Sequence, residues 1–364
     1  MKHLQHFLLL SGVLALSCLR PSEERIEQDR AVGSATSAGI SVEVREGLAA
    51  VRALSAAEFV LWGSAPAYEL TVRTDQASDL SVEIQNCLTD AELTASSASA
   101  VVEAEEATDP NVPTRKRYRL SLPAGETRLA VAAGDQNSTE PFRFALLSDV
   151  QEAIDRVADV YDKVNELEQV RFLLGAGDLT ERGTRAELER FQRELLRLRV
   201  PYFTTLGNHE LGTGPVLYYE YFGRGNFQFR FHRVAFTLLD DASASLDPTA
   251  FEWLEDWLAT ARNDVHVVAM HIPPIDPIGV RNGSWASRSE AAKLLGRLAE
   301  GRVDLTLYGH VHSYYSFDNA GIPAFISGGG GAIPERFDRI GRHVMLFTAE
   351  HGVGITSRQV VRVD

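Results

Sequence analysis

Five short apolar segments in the second part of the chain each end at a group of polar residues, and this pattern constrains the fold most strongly. Each segment has the length and composition of a buried strand. Because a strand that stops abruptly delivers the next side chains to the edge of its sheet, we expect the polar residues to meet in one cleft. These residues are Asp149, Gln151, Asp178, Asn208, His209, Glu210, His271, His310 and His312.

From Pro141 onward, predicted strands alternate with predicted helices. Thr184 and Glu187 form a capping box that opens one helix, and Asp247 followed by Pro248 is typical of the start of another. The end of the chain is again rich in predicted strands. This alternation predicts an α/β layered domain over residues 139–364, with strands in both halves of its core.

Residues 41–138 show a different pattern, in which short alternating segments are separated by turn residues. The pattern predicts a small all-β sandwich of antiparallel strands, of the immunoglobulin or fibronectin-like kind. Residues 91–114 are acidic and rich in Ala and Ser, and we expect them to form a mobile loop. No catalytic group of residues is recognised in this part of the chain.

The first residues predict export. The apolar run of residues 7–16 has the length of a signal peptide and is too short to span a bilayer. Ser17 directly before Cys18 resembles a bacterial lipoprotein signal, so residues 1–17 are interpreted as the signal peptide and Cys18 as the lipid-bearing anchor. The alternative is a plain secretory signal and a periplasmic or secreted protein.

Residues 18–40 are polar and then rich in Gly, Ser and Ala, which predicts a flexible tether behind the anchor. The expected location is the periplasm or the cell surface, with the membrane contacted through lipidated Cys18 only. The other cysteine, Cys87, is interpreted as a packed small hydrophobe.

The net charge of −14 and the lack of a long Lys/Arg run argue against a nucleic-acid partner. A small phosphorylated substrate is compatible with this charge, because bound cations would set the local field. The oligomeric state is left open by the sequence.

Asp178 is the residue around which a metal site would be organised. It follows Gly177 at the end of an apolar run, and its two oxygens allow one aspartate to hold two cations. Each polar residue taken singly has an ordinary structural explanation, since a lone histidine is more often packed in a core. Their order along the chain indicates a common site.

The motifs resemble those of the calcineurin-like metallophosphoesterases, which are D-x-H, G-D-x-x-x-x-G, G-N-H-[DE], H and G-H-x-H. The resemblance covers the chain from Phe142 to its C-terminus. It implies a four-layer α/β/β/α sandwich. The smaller β-sandwich predicted ahead of this domain gives a domain order similar to that of the purple acid phosphatases. The activity it implies is metal-dependent hydrolysis of phosphomonoesters or phosphodiesters.

The resemblance further implies a ligand set for two divalent metal ions. The first ion would be held by Asp149, Asp178 and His312 with Gln151 nearby, and the second by Asp178, Asn208, His271 and His310. Such ligands suit Zn, Mn, Fe or Co, with Mg a further candidate. A hydroxide shared by the ions would attack phosphorus, while His209, its ring oriented by Glu210, would protonate the leaving oxygen.

Gln151 stands where the commonest family pattern has histidine. An amide oxygen is a harder and weaker ligand than imidazole, so we expect the first site to favour Mn or Mg over Zn, or to bind its ion less tightly. The loop of residues 272–287 follows His271 directly, and we expect it to form a rim that selects the substrate.

Two functions compete. One is a phosphoester hydrolase, monoesterase or diesterase. The other is a catalytically weakened or inactive surface lipoprotein that keeps the fold as a binding scaffold. A binding scaffold has no need for a complete ligand set, so the enzyme is favoured by the intact Asp149, Asp178, Asn208, His209, His271, His310 and His312.

Overall fold

The computed structural model describes residues 22–105, 109–212, 214–279, 283–335 and 339–363. The predicted signal peptide and the predicted anchor Cys18 lie outside these ranges. Within them, no helix combines the length and the apolar composition needed to cross a bilayer.

The first part of the chain forms two five-stranded sheets. Their strands are β1 (Ser34–Ser37), β2 (Ile40–Val44), β3 (Ala49–Leu54), β4 (Glu58–Gly63), β5 (Tyr68–Thr74), β6 (Ser78–Gln85), β7 (Ala91–Ala95), β8 (Val101–Ala104), β9 (Lys116–Leu122) and β10 (Gly125–Ala133). One sheet has the order β1-β2-β5-β10-β7 and the other β3-β4-β6-β9-β8. Alternate side chains from both sheets, among them Val72 and Val82, are buried in a common core that also contains Cys87.

Two details of this region differ from the sequence-based expectation. β4 and β6 pair in parallel, so the second sheet is mixed rather than wholly antiparallel. Residues 91–114 are not one mobile loop, because they contain β7 and β8, which pair with β10 and β9. In β7 the acidic Glu92 is exposed while Leu93 is buried, and this alternation within a short strand was obscured by the acidic composition.

The second part of the chain contains two more sheets. Their strands are β11 (Phe142–Leu147), β12 (Val170–Ala176), β13 (Tyr202–Thr205), β14 (Phe227–Phe231), β15 (Val234–Leu239), β16 (Val265–Met270), β17 (Leu305–Tyr308), β18 (Tyr314–Asn319), β19 (Ile322–Ser327), β20 (His343–Glu350) and β21 (Gly354–Arg362). The five-stranded sheet has the order β13-β12-β11-β20-β21, and the six-stranded sheet β14-β15-β16-β17-β19-β18.

These sheets face each other through a cluster of phenylalanines, with the ring centroids of Phe144 and Phe236 5.2 Å apart. Their outer faces are covered by helices, so the layers run helix, sheet, sheet, helix. The helices of this part are α2 (Ala158–Glu166), α3 (Arg185–Leu195), α4 (Tyr218–Phe222), α5 (Pro248–Ala261) and α6 (Arg288–Glu300). As the sequence predicted, α3 begins at the capping box of Thr184 and Glu187, and α5 at Asp247.

The predicted flexible tether is wrong for residues 22–40. This segment forms helix α1 (Ser22–Ala31), then β1 and β2, and α1 is docked on the second part of the chain. The buried Arg25 donates from Nε to Oδ2 of Asp240 at 2.6 Å, while the carboxylate of Asp29 accepts from the backbone N–H of Gly225 at 2.7 Å. Two of the charged residues that suggested a solvated segment are therefore buried, Arg25 in an ion pair and Asp29 in hydrogen bonds to neutral groups.

Replacing Arg25 with alanine is expected to lower the free energy of unfolding by about 3 kcal/mol, because Asp240 would stay buried without its counter-charge. Urea unfolding measures the effect. The control is Arg30→Ala on the exposed face of the same helix. Equal stability of the two variants would show that the buried ion pair does not hold α1.

Candidate metal centre

The fold brings the five predicted strand ends to one place. β11, β12 and β13 are parallel neighbours, so the residues that follow them lie along the same sheet edge. β16 and β17 form a parallel pair in the facing sheet. The side chains that follow these strands are Asp149, Asp178 and Asn208 on one side, and His271, His310 and His312 on the other.

Two glycines allow these segments to approach closely. Gly177 has φ = +83°, and an added Cβ would come within 2.8 Å of Nδ1 of His271. At Gly207, a Cβ would collide with the carboxylate of Asp178. The glycines of the motifs are therefore needed for backbone contact beside the site.

Several residues of the site have left-handed backbone conformations, which non-glycine residues rarely adopt. Hydrogen bonds between the loops hold them there: the N–H of Asp149 donates to the carbonyl of Gly177 at 3.2 Å, and that of Val150 to the carbonyl of Asp178 at 2.9 Å. The residues with positive φ are Asp149 (61°), Gln151 (46°), Asp178 (53°) and His310 (69°).

The first group of potential ligands consists of Asp149, Asp178 and His312, whose ligand atoms lie within 4.8 Å of one another. Nε2 of His312 is 3.6 Å from Oδ1 of Asp149. Gln151 lies beside them, with its amide nitrogen donating to Oδ2 of Asp178 at 2.7 Å. These are the four residues predicted around the first ion.

The second group consists of Asp178, His271 and His310, again within 4.8 Å of one another. Oδ1 of Asn208 is 3.0 Å from Nε2 of His271 and 2.9 Å from Nδ1 of His310. Asp178 thus belongs to both groups, as the sequence predicted for a bridging carboxylate.

The donor atoms fit divalent cations. Nδ1 of His271 donates to the carbonyl of Ala176 at 2.7 Å, and Nδ1 of His312 to the carbonyl of Ile333 at 2.8 Å. These bonds direct Nε2 of both rings toward the carboxylates, as in metal sites where the second ring nitrogen is held by a backbone carbonyl. The mixture of carboxylate, imidazole and amide suits Mn, Zn, Fe or Co.

The electrostatics of the centre also favour cations. Asp149 and Asp178 are both almost fully buried. Burial raises the pKa of Asp149, and the neighbouring Asp178 adds to this. Burial alone would raise the pKa of Asp178 as well, but His271 and His209 outweigh it and hold that pKa well below its usual range. Two carboxylates in so small a volume are stabilised by positive charge between them.

His209 lies at the open side of the centre, about 29% exposed. Its Nδ1 donates to the carbonyl of Glu181 at 2.7 Å, and its Nε2 is 3.9 Å from Oδ2 of Asp178. Burial alone would lower the pKa of His209, but Asp178 and the Glu181 carbonyl outweigh it, so the pKa is raised.

The prediction that Glu210 orients the His209 ring is wrong. The carboxylate of Glu210 is buried and accepts from the backbone N–H of Thr180 at 2.9 Å and of Gly207 at 2.8 Å. It ties the loop after Asp178 to the loop that carries Asn208. The ring of His209 is instead held by the Glu181 carbonyl, since the side chain of Glu210 turns inward.

Sequence reasoning missed Asp241. Its buried carboxylate accepts from the backbone N–H of His271 at 2.9 Å and of Ile272 at 3.1 Å, and from Nε1 of Trp285 at 2.9 Å. It therefore positions the backbone at His271 and connects the two ends of the loop of residues 272–287. The sequence did contain a signal for Asp241, because this residue closely follows the apolar run of β15 and so marks a sixth strand end with a polar residue.

Replacing Gln151 with histidine is expected to tighten Zn binding at the weaker site by about tenfold, because an imidazole nitrogen is the better Zn ligand. The amide of Gln151 already lies against Asp178 and His312, so the new ring faces the same ligands. Calorimetric metal titration of the metal-free protein measures the change, with exposed Gln359→His as the control. Unchanged affinity would mean that residue 151 is not a ligand position.

Comparison with known proteins supports this description. Residues 142–314 match the family model described as calcineurin-like phosphoesterase. A 3',5'-cyclic-nucleotide phosphodiesterase of Nostoc sp. is 29% identical over 170 residues, which cover 42% of this chain and 61% of the relative. Purple acid phosphatase 22 of Arabidopsis thaliana is 28% identical over 206 residues, which cover 50% of this chain and 46% of the relative.

Among solved structures, a dimetal phosphatase from Danio rerio aligns with a TM-score of 0.47 and 15% identity, covering 62% of this chain and 100% of that chain. The chain spans less than two thirds of the length of each of the two curated relatives.

Proposed function

We propose that this chain is a calcineurin-like phosphoesterase, a hydrolase that cleaves phosphoester bonds with two divalent metal ions, because residues 142–314 match the model of that family. The observation that carries the proposal is the place of Asp178 in both groups of ligand atoms. A carboxylate shared in this way is what a two-metal site requires. The proposed ligands are Asp149, Gln151, Asp178, Asn208, His271, His310 and His312.

When bound, the two metal ions would supply an activated water and would stabilise negative charge on the phosphate. The protein holds the ligands in place before the substrate arrives, through the carbonyls that orient His271 and His312. His209 stands at the open side of the centre with its Nε2 directed inward, and it would donate a proton to the leaving oxygen.

The proposed substrates are small phosphorylated molecules, either phosphomonoesters or phosphodiesters. One of the two relatives is named a cyclic-nucleotide phosphodiesterase and the other a phosphatase, so both ester types are retained. A diester needs room for a second substituent, and the loop of residues 272–287 is the proposed place for this selection.

The test is hydrolysis of p-nitrophenyl phosphate and bis-p-nitrophenyl phosphate by the purified chain, after reconstitution with Mn, Zn, Fe or Mg. We expect turnover with at least one metal, and the ratio of the two rates assigns the ester class. Metal binding without turnover of either ester would contradict the proposal and favour a binding scaffold.

We also propose export and membrane anchoring through lipidated Cys18, on the N-terminal sequence alone. Since α1 begins at Ser22, only four residue steps separate it from Cys18. That distance is at most about 14 Å, so the anchored protein would be held close to the membrane surface.

Metabolic labelling with radioactive palmitate tests the anchor. We expect label in the wild-type protein and its loss in Cys18→Ser, while Cys87→Ser keeps the label because Cys87 is buried in the fold. Equal labelling of wild type and Cys18→Ser would exclude Cys18 as the anchor.

A further inference from the structure

A cavity separate from the metal centre lies where the first pair of sheets meets helices α3 and α4. Its volume is about 320 Å³, and none of the proposed metal ligands lines it. The first part of the chain contributes Arg52 from β3, Trp62 from β4 and Arg115. The second part contributes Gln192 and Arg193 from α3 and Tyr221 from α4.

The lining of this junction cavity is positively charged, although the chain as a whole has a net charge of −14. Among the described residues that line it, three have guanidinium groups, Arg52, Arg115 and Arg193, and Glu189 is the single carboxylate. A concave surface lined by one sign of charge concentrates counter-ions of the opposite sign.

Arg52 is the central group. Its Nη1 donates to Oε1 of Gln192 at 2.9 Å and to the carbonyl of Tyr221 at 3.2 Å, and its guanidinium lies 4.6 Å from the centre of the Tyr221 ring. Within the described residues, no carboxylate lies at ion-pair distance from it. Burial lowers the pKa of Arg52, and the neighbouring Tyr221, Glu220 and Glu189 offset this only in part.

The other two arginines also keep hydrogen-bonding capacity. Arg193 is exposed and makes no ion pair within the described residues. Nε of Arg115 is buried and forms an ion pair with Oε1 of Glu83 at 3.5 Å, without a hydrogen bond within the described residues. Guanidinium groups in such an arrangement match the oxygens of a phosphate or a carboxylate.

One side of the cavity is apolar, because Trp62, Leu195, Leu198 and Val200 line it as well. We propose that the junction cavity binds a small organic anion, with its phosphate or carboxylate oxygens on Arg52 and Arg193 and its apolar body on this side. The volume is at the lower end of the range for small-molecule sites. Because the cavity contains residues from both parts of the chain, the ligand would strengthen their contact.

The probe is phenylphosphonate, which has an aromatic body and a C–P bond that a phosphoester hydrolase does not cleave. Binding to the full metal-loaded chain is measured by calorimetry, and its place by hydrogen exchange with mass spectrometry. We expect slower exchange in residues 112–115 and 189–200. Slower exchange in the loops after Asp178 and Asn208 would instead report binding at the metal centre, so the experiment distinguishes the two sites.

The decisive variant is Arg193→Glu, because this side chain is exposed and has no ion-pair partner within the described residues, so we expect the fold to tolerate its loss. We expect binding at the junction to weaken by about tenfold or more. Arg197→Glu, with the same change of charge just beyond α3, is expected to alter it by less than about twofold. Arg52→Gln serves as a second variant.

Wild-type affinity at the junction in both Arg193→Glu and Arg52→Gln would overturn the proposal. Protection confined to the metal-centre loops would overturn it as well. These outcomes do not depend on whether the metal centre hydrolyses phosphoesters.

Discussion

Replacing Asp178 with asparagine is expected to lower kcat/KM for p-nitrophenyl phosphate by on the order of 10⁴-fold. Asp178 is the residue common to both ligand groups, and an amide cannot bridge two cations with two charged oxygens. The substitution keeps the shape of the side chain and an acceptor for the N–H of His209, which now donates to Oδ1 at 2.9 Å. The fold should therefore survive while both metal sites weaken.

Steady-state kinetics and metal content measure this effect together. Asp155→Asn is the control, because Asp155 is an exposed carboxylate, paired with Arg190, in the short helical turn that follows Asp149. It should keep wild-type activity and metal content. Full activity of Asp178→Asn with normal metal content would be incompatible with a bridging role.

Replacing His209 with alanine is expected to lower kcat by on the order of 10³-fold for phenyl phosphate, whose leaving oxygen needs a proton. The loss should be much smaller for p-nitrophenyl phosphate, because p-nitrophenolate is a stable leaving group. The ring contacts the carbonyl of Glu181 and lies near Asp178, so its removal leaves the proposed ligands untouched.

Comparing the two substrates separates proton donation from ligand loss, since a lost metal would slow both to the same extent. Metal content should stay at the wild-type value. His351→Ala, outside the centre, is the control and should not change either rate. A uniform loss on both esters would count against His209 as the proton donor.

The site could be predicted from the sequence because its residues follow strands that are easy to recognise. β13, β16 and β17 are each a short apolar run between turn residues, which is the sequence pattern of a buried strand. Parallel strands then place their carboxyl ends together, so the order of motifs along the chain becomes proximity in space. Asp149, Asp178 and Asn208 converge for this reason. His312 reaches them from the facing sheet, and the packing of the two sheets could not be derived from the sequence alone.

Helix α1 could not be predicted because its buried face is charged. Arg25 and Asp29 look solvated in a polar segment, and their partners Asp240 and Gly225 lie about two hundred residues further along the chain. Composition carries no information on such a distant pairing. The same reasoning applies to residues 91–114, where two short strands are hidden in an acidic segment.

Within the centre, the residues that position the ligand loops were not predicted correctly, since Asp241 was missed and Glu210 was given a different role. Asp241 and Glu210 act through hydrogen bonds to backbone N–H groups, which depend on loop conformations that no motif specifies. The left-handed conformations of Asp149 and Asp178 have the same origin, because residues of this type adopt them only where the surrounding loops enforce them.

Anomalous diffraction from crystals of the chain loaded with Mn would locate the two proposed metal ions. We predict two peaks about 3.5–4 Å apart, both within bonding distance of the carboxylate of Asp178. One should also contact Asp149 and His312, and the other His271 and His310. A single peak at saturating metal, or two ions that do not share Asp178, would contradict the account.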